Sequence, residues 1–257
     1  MRKPIGRIRG LFRYPVKSMA GVPLEAALLG WHGIEGDRRL AFRRVAEKGG
    51  FPWLTASRVS QLVLYRPFVA EGNDPVVPTH VKTPDGRDLE IAGDEMRAEL
   101  AAAVGADVEL MRLSQGIFDE APVSIVSVAS LEAVSRDARR STDVRRFRPN
   151  LLVETEEGVA FAEDAWIGKV LRLGSDPDAP AVAVTMRDKR CVMINLDPDT
   201  ATAEPCMMKA AVHLNDNNVG VYAVVVRAGT IASDAGIYLE DEEPFPENPQ
   251  EFEKTQC

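Results

Sequence analysis

Between Val182 and Thr200 the chain reads VAVTMRDKRCVMINLDPDT, the stretch that most narrows its possible folds. Val182 and Val184, then Val192, Ile194 and Leu196, recur at the two-residue period of a strand with one buried face. This predicts two strands on either side of a cationic crossing at Arg187, Lys189 and Arg190, closed by an Asp197-Pro198-Asp199-Thr200 turn. Cys191 opens the second strand. Positive charge beside a thiol favours the thiolate, the form that binds soft metals or attacks electrophiles. The plainer reading of a lone intracellular cysteine is a small buried hydrophobe.

The rest of the chain also reads as strands joined by turns. Ile5 to Arg13 alternates, and Pro15 ends it because proline cannot continue a ladder. Val16-Lys17-Ser18-Met19 then falls on a loop, where an ammonium and a hydroxyl side by side can hold a phosphate. Val22–Leu29, Arg38–Val45 and the short run Leu62–Tyr65 are further strands, and Val81–Ile91 is a hairpin turning at Pro84-Asp85-Gly86. A helix is expected over Glu95–Val104, capped by Asp94 and ended by Gly105, before a strand at Val108–Leu113.

The loop Ser114–Ala121 is the expected boundary between an N-terminal domain, residues 1–113, and a second domain, residues 114–240. Pro122–Val128 reads as a buried strand leading into a helix from Leu131 to about Arg140 with Ser130 at its cap. Ser127 and Ser130 are either simple caps or caps that also face a phosphate, since helix N-termini bind anions. Arg148 and Asn150 flank Pro149 ahead of the strand Leu151–Val153; a guanidinium offers a rigid fork, and an amide both gives and accepts. Later segments predict a strand at Lys169–Leu173 with Trp166 in the core, a helix within Glu204–Leu214, and closing strands Gly220–Arg227 and Ile237–Leu239. The fold class is mostly β, α+β.

Charge and cysteine usage limit the functions open to such a chain. The net charge is −8, yet residues 1–48 carry eleven Lys or Arg against four acids, while the stretch after residue 240 is acidic and proline-rich and expected to be a flexible tail. Basic islands on an acidic protein suit a local anionic ligand; a long nucleic acid would be repelled. Cys191, Cys206 and Cys257 form no CxxC pair and His32, His80 and His213 are scattered, which argues against structural zinc and for a reducing compartment. No apolar run is long enough to span a bilayer, so a cytoplasmic protein without membrane attachment is expected.

Several short motifs resemble one family. Arg190-Cys191-Val192 followed by Asp197-Pro198-Asp199-Thr200 resembles the signature of the MOSC domains, the molybdenum-cofactor-binding domains related to the C-terminal part of molybdenum cofactor sulfurase. Tyr14-Pro15-Val16-Lys17-Ser18 is similar to the start of the domain that precedes them, and Arg146-Phe147-Arg148-Pro149-Asn150 is a further match in the same order. Gly36-Asp37-Arg38-Arg39 resembles the family's Asp-Arg pair, and Ser57-Arg58 a polar pair near its site. Ala201 and Asn195 depart from it, standing where relatives often carry glycine and threonine.

The resemblance implies a MOSC β-barrel preceded by a β-rich N-terminal domain, with molybdopterin and its molybdenum in the cleft between them. Cys191 would be the metal ligand and catalytic thiolate, and Lys17, Ser18, Arg38, Arg148 and Asn150 would hold the cofactor; Ser127 and Ser130 join that set from their reading as helix caps that face a phosphate. The implied activity is removal of oxygen from small N-hydroxylated compounds. Electrons would come from a separate ferredoxin- or cytochrome b5-like protein, because the chain has no four-cysteine iron–sulfur pattern. Other readings remain: a carrier or sulfuration partner of the cofactor, without a pyridoxal-phosphate domain of its own; a cysteine-nucleophile enzyme, disfavoured by scarce histidine; or a metal-free binding module.

Overall fold

The computed structural model describes residues 4–71, 76–114 and 117–240; the acidic stretch 241–257, with Cys257, lies outside the described residues. Its centre is a closed sheet. Strands Leu151–Thr155, Val123–Ser127, Asn218–Arg227, Ala181–Lys189, Val170–Leu173, Gly236–Leu239 and Gly6–Arg13 pair in that order, and the last pairs back onto the first. Closure gives each of these seven strands a neighbour on both sides, and Val22–Leu24 adds to the far end of Gly6–Arg13. Ile125, Leu151, Val153 and Val182 turn inward to form one apolar core, and a bulge between Ile8 and Gly10 lets both Ile8 and Leu11 join it. The strand from the chain's start closes the barrel, which is therefore not confined to the C-terminal half.

One glycine allows the barrel to close tightly. Gly220 has φ +88°, and a Cβ there would stand 2.4 Å from the carbonyl oxygen of Ile125 on the neighbouring strand.

A second core gathers Val16, Leu40, Phe42, Leu54 and Leu62 under the helix α1, Asp94–Val104, whose Met96 and Leu100 are fully buried. Here Leu40–Arg44 pairs with Val108–Arg112, and Arg66–Phe68, His80–Lys82 and Asp88–Glu90 form a three-stranded meander. The helices α2, Val128–Asp137, and α3, Cys206–Asn215, pack together in a third cluster with Phe147 and Ile194. Among the described residues no helix is long and apolar enough to cross a membrane.

Several expectations shift. Leu62–Leu64 lies not in a strand but in a 3-10 turn, Ser60–Leu64, in which the amide of Leu62 bonds Val59 O and which Tyr65 ends; the run buries Leu62 and Tyr65 without pairing as a strand. Helix α1 begins one residue earlier than expected, with Gly93 at its cap and Asp94 in its first turn paired to Arg97. Its end at Gly105, in the left-handed conformation, is as expected.

Candidate functional site

The two cores meet around a cavity of about 850 Å³. Lys17, Ser18 and Arg38 line it from the N-terminal side, and Arg148, Lys189 and Cys191 from the barrel. Phe51, Trp53 and Phe118 give it an aromatic wall, with Trp53 set edge-on to Phe118 at 4.7 Å.

Cys191 is exposed, which corrects the buried-hydrophobe reading. The strand ends at Lys189, and Cys191 lies extended, just ahead of a 3-10 turn over Val192–Asn195, so the second strand expected here is absent. The alternation misled because its first member, Val192, is exposed while Ile194 and Leu196 are buried. The chain must reverse here instead: the Asp197 carboxylate collects the amides of Asp199 and Thr200, making the expected turn. Of the three nearby cations, Arg187 pairs with Asp164 at 3.1 Å and Arg190 is buried on Asp188 at 2.9 Å and the carbonyls of Val219 and Phe147. Lys189 alone of them makes no ion pair with the described residues.

Arg38 is 5 % exposed and almost fully engaged by protein. It pairs with Asp37, with Asp119 at 2.8 Å, with Asn150 Oδ1 at 3.1 Å and with the carbonyl of Arg148 at 2.9 Å. Burial pulls its pKa down, but Asp37 and Asp119 outweigh that and the net shift is upward. Asp37 is anchored in turn by the amide of Tyr14 at 2.6 Å. Asn150, fully buried, also accepts from the amide of Ser124 and donates to Phe12 O, so it joins the strands behind the cavity without lining it.

Arg148 differs. Its guanidinium stacks on the Tyr14 ring at 4.2 Å and donates through Nη1 to Met19 O, but the buried Nη2 has no partner. Burial is the main cause lowering its pKa to about 10, and burial raises that of Tyr14 to about 12. Lys17 is lowered by burial as well, while its Nζ bonds Phe118 O at 2.6 Å. Ser18, Arg38 and Arg148 all hold left-handed backbone, with φ of 69°, 45° and 54°. Non-glycine residues rarely adopt it, and such strain clusters at functional sites.

Ser127 and Ser130 are not brought to this cavity. Ser127 caps α2, accepting from the amide of Ser130, and the Ser130 hydroxyl takes the amide of Phe161; both serines are fully buried. The helix therefore starts three residues earlier than expected, with Ser127 rather than Ser130 at its cap. Ser57 lines the cavity, and Arg58 is not among its lining. Asn195 caps the start of α3 through Oδ1, which accepts from the amide of Met208 at 2.9 Å. Ala201 keeps the left-handed φ, 58°, natural to the glycine that relatives often carry.

Sequence reasoning missed the acids. Asp119 lines the cavity between Arg38 and Lys17; burial raises it, but those two cations outweigh burial and hold it below its ordinary value. Asp188, 2 % exposed, bonds Ser124 Oγ at 2.8 Å, and burial pushes it up to about 6 against Arg190. It stands within the very stretch that carries the cysteine, so proximity in sequence was the available signal.

A two-core β protein with a cation-lined cavity around one exposed thiol is thus the class that fold and site define. Residues 103–238 match the MOSC domain and residues 5–121 the MOSC N-terminal beta barrel domain, and the chain belongs to the MOSC family. It is 27% identical over 244 residues to mitochondrial amidoxime reducing component 2 of Bos taurus, covering 78% of this chain and 69% of that protein. In fold it is similar to the YuaD protein from Bacillus subtilis, with a TM-score of 0.50 and 14% identity over 95% of this chain and 100% of that one.

Proposed function

We propose that the chain binds a molybdenum–pterin cofactor in the main cavity and reduces small N-hydroxylated compounds with electrons from a separate redox protein of ferredoxin or cytochrome b5 type. One observation carries this reading: an exposed thiol and a buried guanidinium nitrogen without a partner line the same cavity, at positions where the family's motifs fall. The name of the bovine relative points to the same substrate class.

The residues present fit such a group. Among the described residues no cluster of three or more His, Cys, Asp or Glu could hold a metal by itself, so a metal here would bring its other ligands with it. Cys191 would supply the protein thiolate, as soft metals prefer. Arg148 and Lys17 would hold the anionic end, with Ser18 adding a hydroxyl; Arg38 and Asn150 would act one layer back by fixing Arg148 and Ser124. When bound, the cofactor supplies the two-electron chemistry of the reaction, R–NHOH + 2e⁻ + 2H⁺ → R–NH2 + H2O. The aromatic wall would exclude water and seat an apolar substrate. Asp188, its pKa pushed up to about 6, is a carboxyl facing the cavity that can hold a proton close to neutrality, on the oxygen that Ser124 and Arg190 do not engage.

Reductase turnover on a simple hydroxylamine with an artificial donor tests the reading, together with metal and pterin content. Turnover lost in Cys191→Ala supports it. Bound molybdenum without turnover would make the chain a carrier or sulfuration partner, and absence of molybdenum from protein made in a cofactor-producing host would end both.

A further inference from the structure

On its barrel side the main cavity is also lined by three polar residues that the short motifs do not include: Ser124, Asp188 and Tyr222. Alternation puts two of them there. Val123, Ile125, Val221 and Ala223 enter the barrel core, so Ser124 and Tyr222, opposite each other across an antiparallel pair, turn outward to the seam. Asp188 joins them from the end of Ala181–Lys189, where its Oδ2 accepts from Ser124 Oγ at 2.8 Å and pairs with Arg190 at 2.9 Å.

Two polar atoms of this corner lack partners. The second oxygen of Asp188 takes no hydrogen bond from the described residues and the Tyr222 hydroxyl makes none with them, although both side chains are buried. A phenol that adds nothing to the fold's own bonding but lines a cavity is a donor for what the cavity holds. The two acids of the cavity also differ in protonation. Burial raises Asp119, but Arg38 and Lys17 outweigh it and keep that carboxyl ionised. At Asp188 burial prevails over Arg190 and Ser124 and pushes the pKa up to about 6. Tyr222 on the neighbouring strand, and Asp119 and Arg38 across the seam, are the other titratable or charged groups coupled to it. Of the two carboxyls, Asp188 is thus the one with a proton to give.

We propose that Tyr222, Ser124 and Asp188 form the subsite for the oxygen of the substrate's N–OH group: Tyr222 donates a hydrogen bond to that oxygen, Ser124 positions Asp188, and Asp188 delivers the proton with which it departs as water. This assignment rests on the reductase reading above. Oxygen leaves with the N–O bonding pair and the Asp188 proton, nitrogen takes the two donor electrons and a second proton from solvent, and solvent then reprotonates the carboxylate.

Steady-state kinetics of the molybdenum-loaded enzyme with benzamidoxime, from mildly acid to mildly alkaline pH, tests it. Wild-type kcat is expected to fall as pH rises past about 6, because the acid must be protonated to act. Asp188→Asn is expected to lose about a hundredfold in kcat, and the pH dependence with it, at unchanged molybdenum content. Tyr222→Phe is expected to lower kcat/KM about tenfold with an unchanged thermal melt, since the hydroxyl it removes bonds nothing in the fold. Infrared difference spectra of wild type against Asp188→Asn add a readout without turnover: the carbonyl band of a protonated carboxyl is expected in wild type alone, vanishing as pH rises. Wild type without turnover overturns this assignment together with the reductase reading. Turnover in which Asp188→Asn keeps the wild-type pH profile, in which the carboxyl band is missing, or in which Tyr222→Phe equals wild type overturns this assignment alone.

Discussion

Two arginines stand side by side at the seam, Arg38 donating to the backbone carbonyl of Arg148 at 2.9 Å, yet their surroundings differ in kind. The region around Arg38 holds Asp37, Asp119 and Asn150, so almost every donor is satisfied within the protein. The region around Arg148 offers an aromatic ring and one carbonyl and leaves a buried nitrogen unbonded. A buried cation with matching acids is a cross-link; one without them is held ready for an anion from outside. Residue type alone would have ranked the two alike.

Mutation can break that contrast. Arg38→Met strands Asp37 in the interior and should cost about 3–5 kcal/mol, the usual price of breaking a buried pair from one side. Urea denaturation would show it, and a loss below about 1 kcal/mol would make Arg38 a ligand group rather than a cross-link. Asn150→Ala removes bonds to Ser124, Arg38 and Phe12 and is expected to cost about 2–3 kcal/mol by the same measurement.

A pH series sharpens the comparison at the barrel's own buried acid. Asp188 has a folded pKa raised to about 6, so the folded state holds its proton more tightly than the unfolded chain does. Its contribution is therefore complete below the ordinary carboxylate range and declines as pH rises to about 6. Measured by thermal melts, Asp188→Asn should gain on wild type across that window and hold a constant difference above it; a flat difference throughout would deny the shift. Smallest is the expected stability effect of Arg148→Met, within about 1 kcal/mol of wild type, because loss of one hydrogen bond is offset by removal of a buried charge. Its ligand affinity should nonetheless fall.

Much of the barrel was legible because apolar runs bounded by turn residues mark its strands: Gly6–Arg13, Val123–Ser127 and Asn218–Arg227 lie close to where the sequence placed strands, although a bulge breaks the alternation in the first and all five residues of the second are buried. Periodicity failed over short apolar runs, at Leu62–Tyr65 and Val192–Leu196, where a single helical turn buries the same residues. At the site, the motifs brought Lys17, Ser18, Arg38, Arg148 and Cys191 to one cavity. What they could not disclose was pairing across the chain. Asp119 meets Arg38, and Asp188 meets Ser124, over separations that only the folded seam spans. The same gap hid the serines, whose hydroxyls serve the start of α2 and the Phe161 amide.

The most direct measurement is molybdenum and pterin analysis of wild type and Cys191→Ala, both made in a host that supplies molybdopterin in excess. Equimolar metal with pterin in wild type, and loss of the metal in the variant, is the expected result. Wild-type protein that carries neither metal nor pterin, or a variant that keeps its molybdenum undiminished, would contradict the central claim.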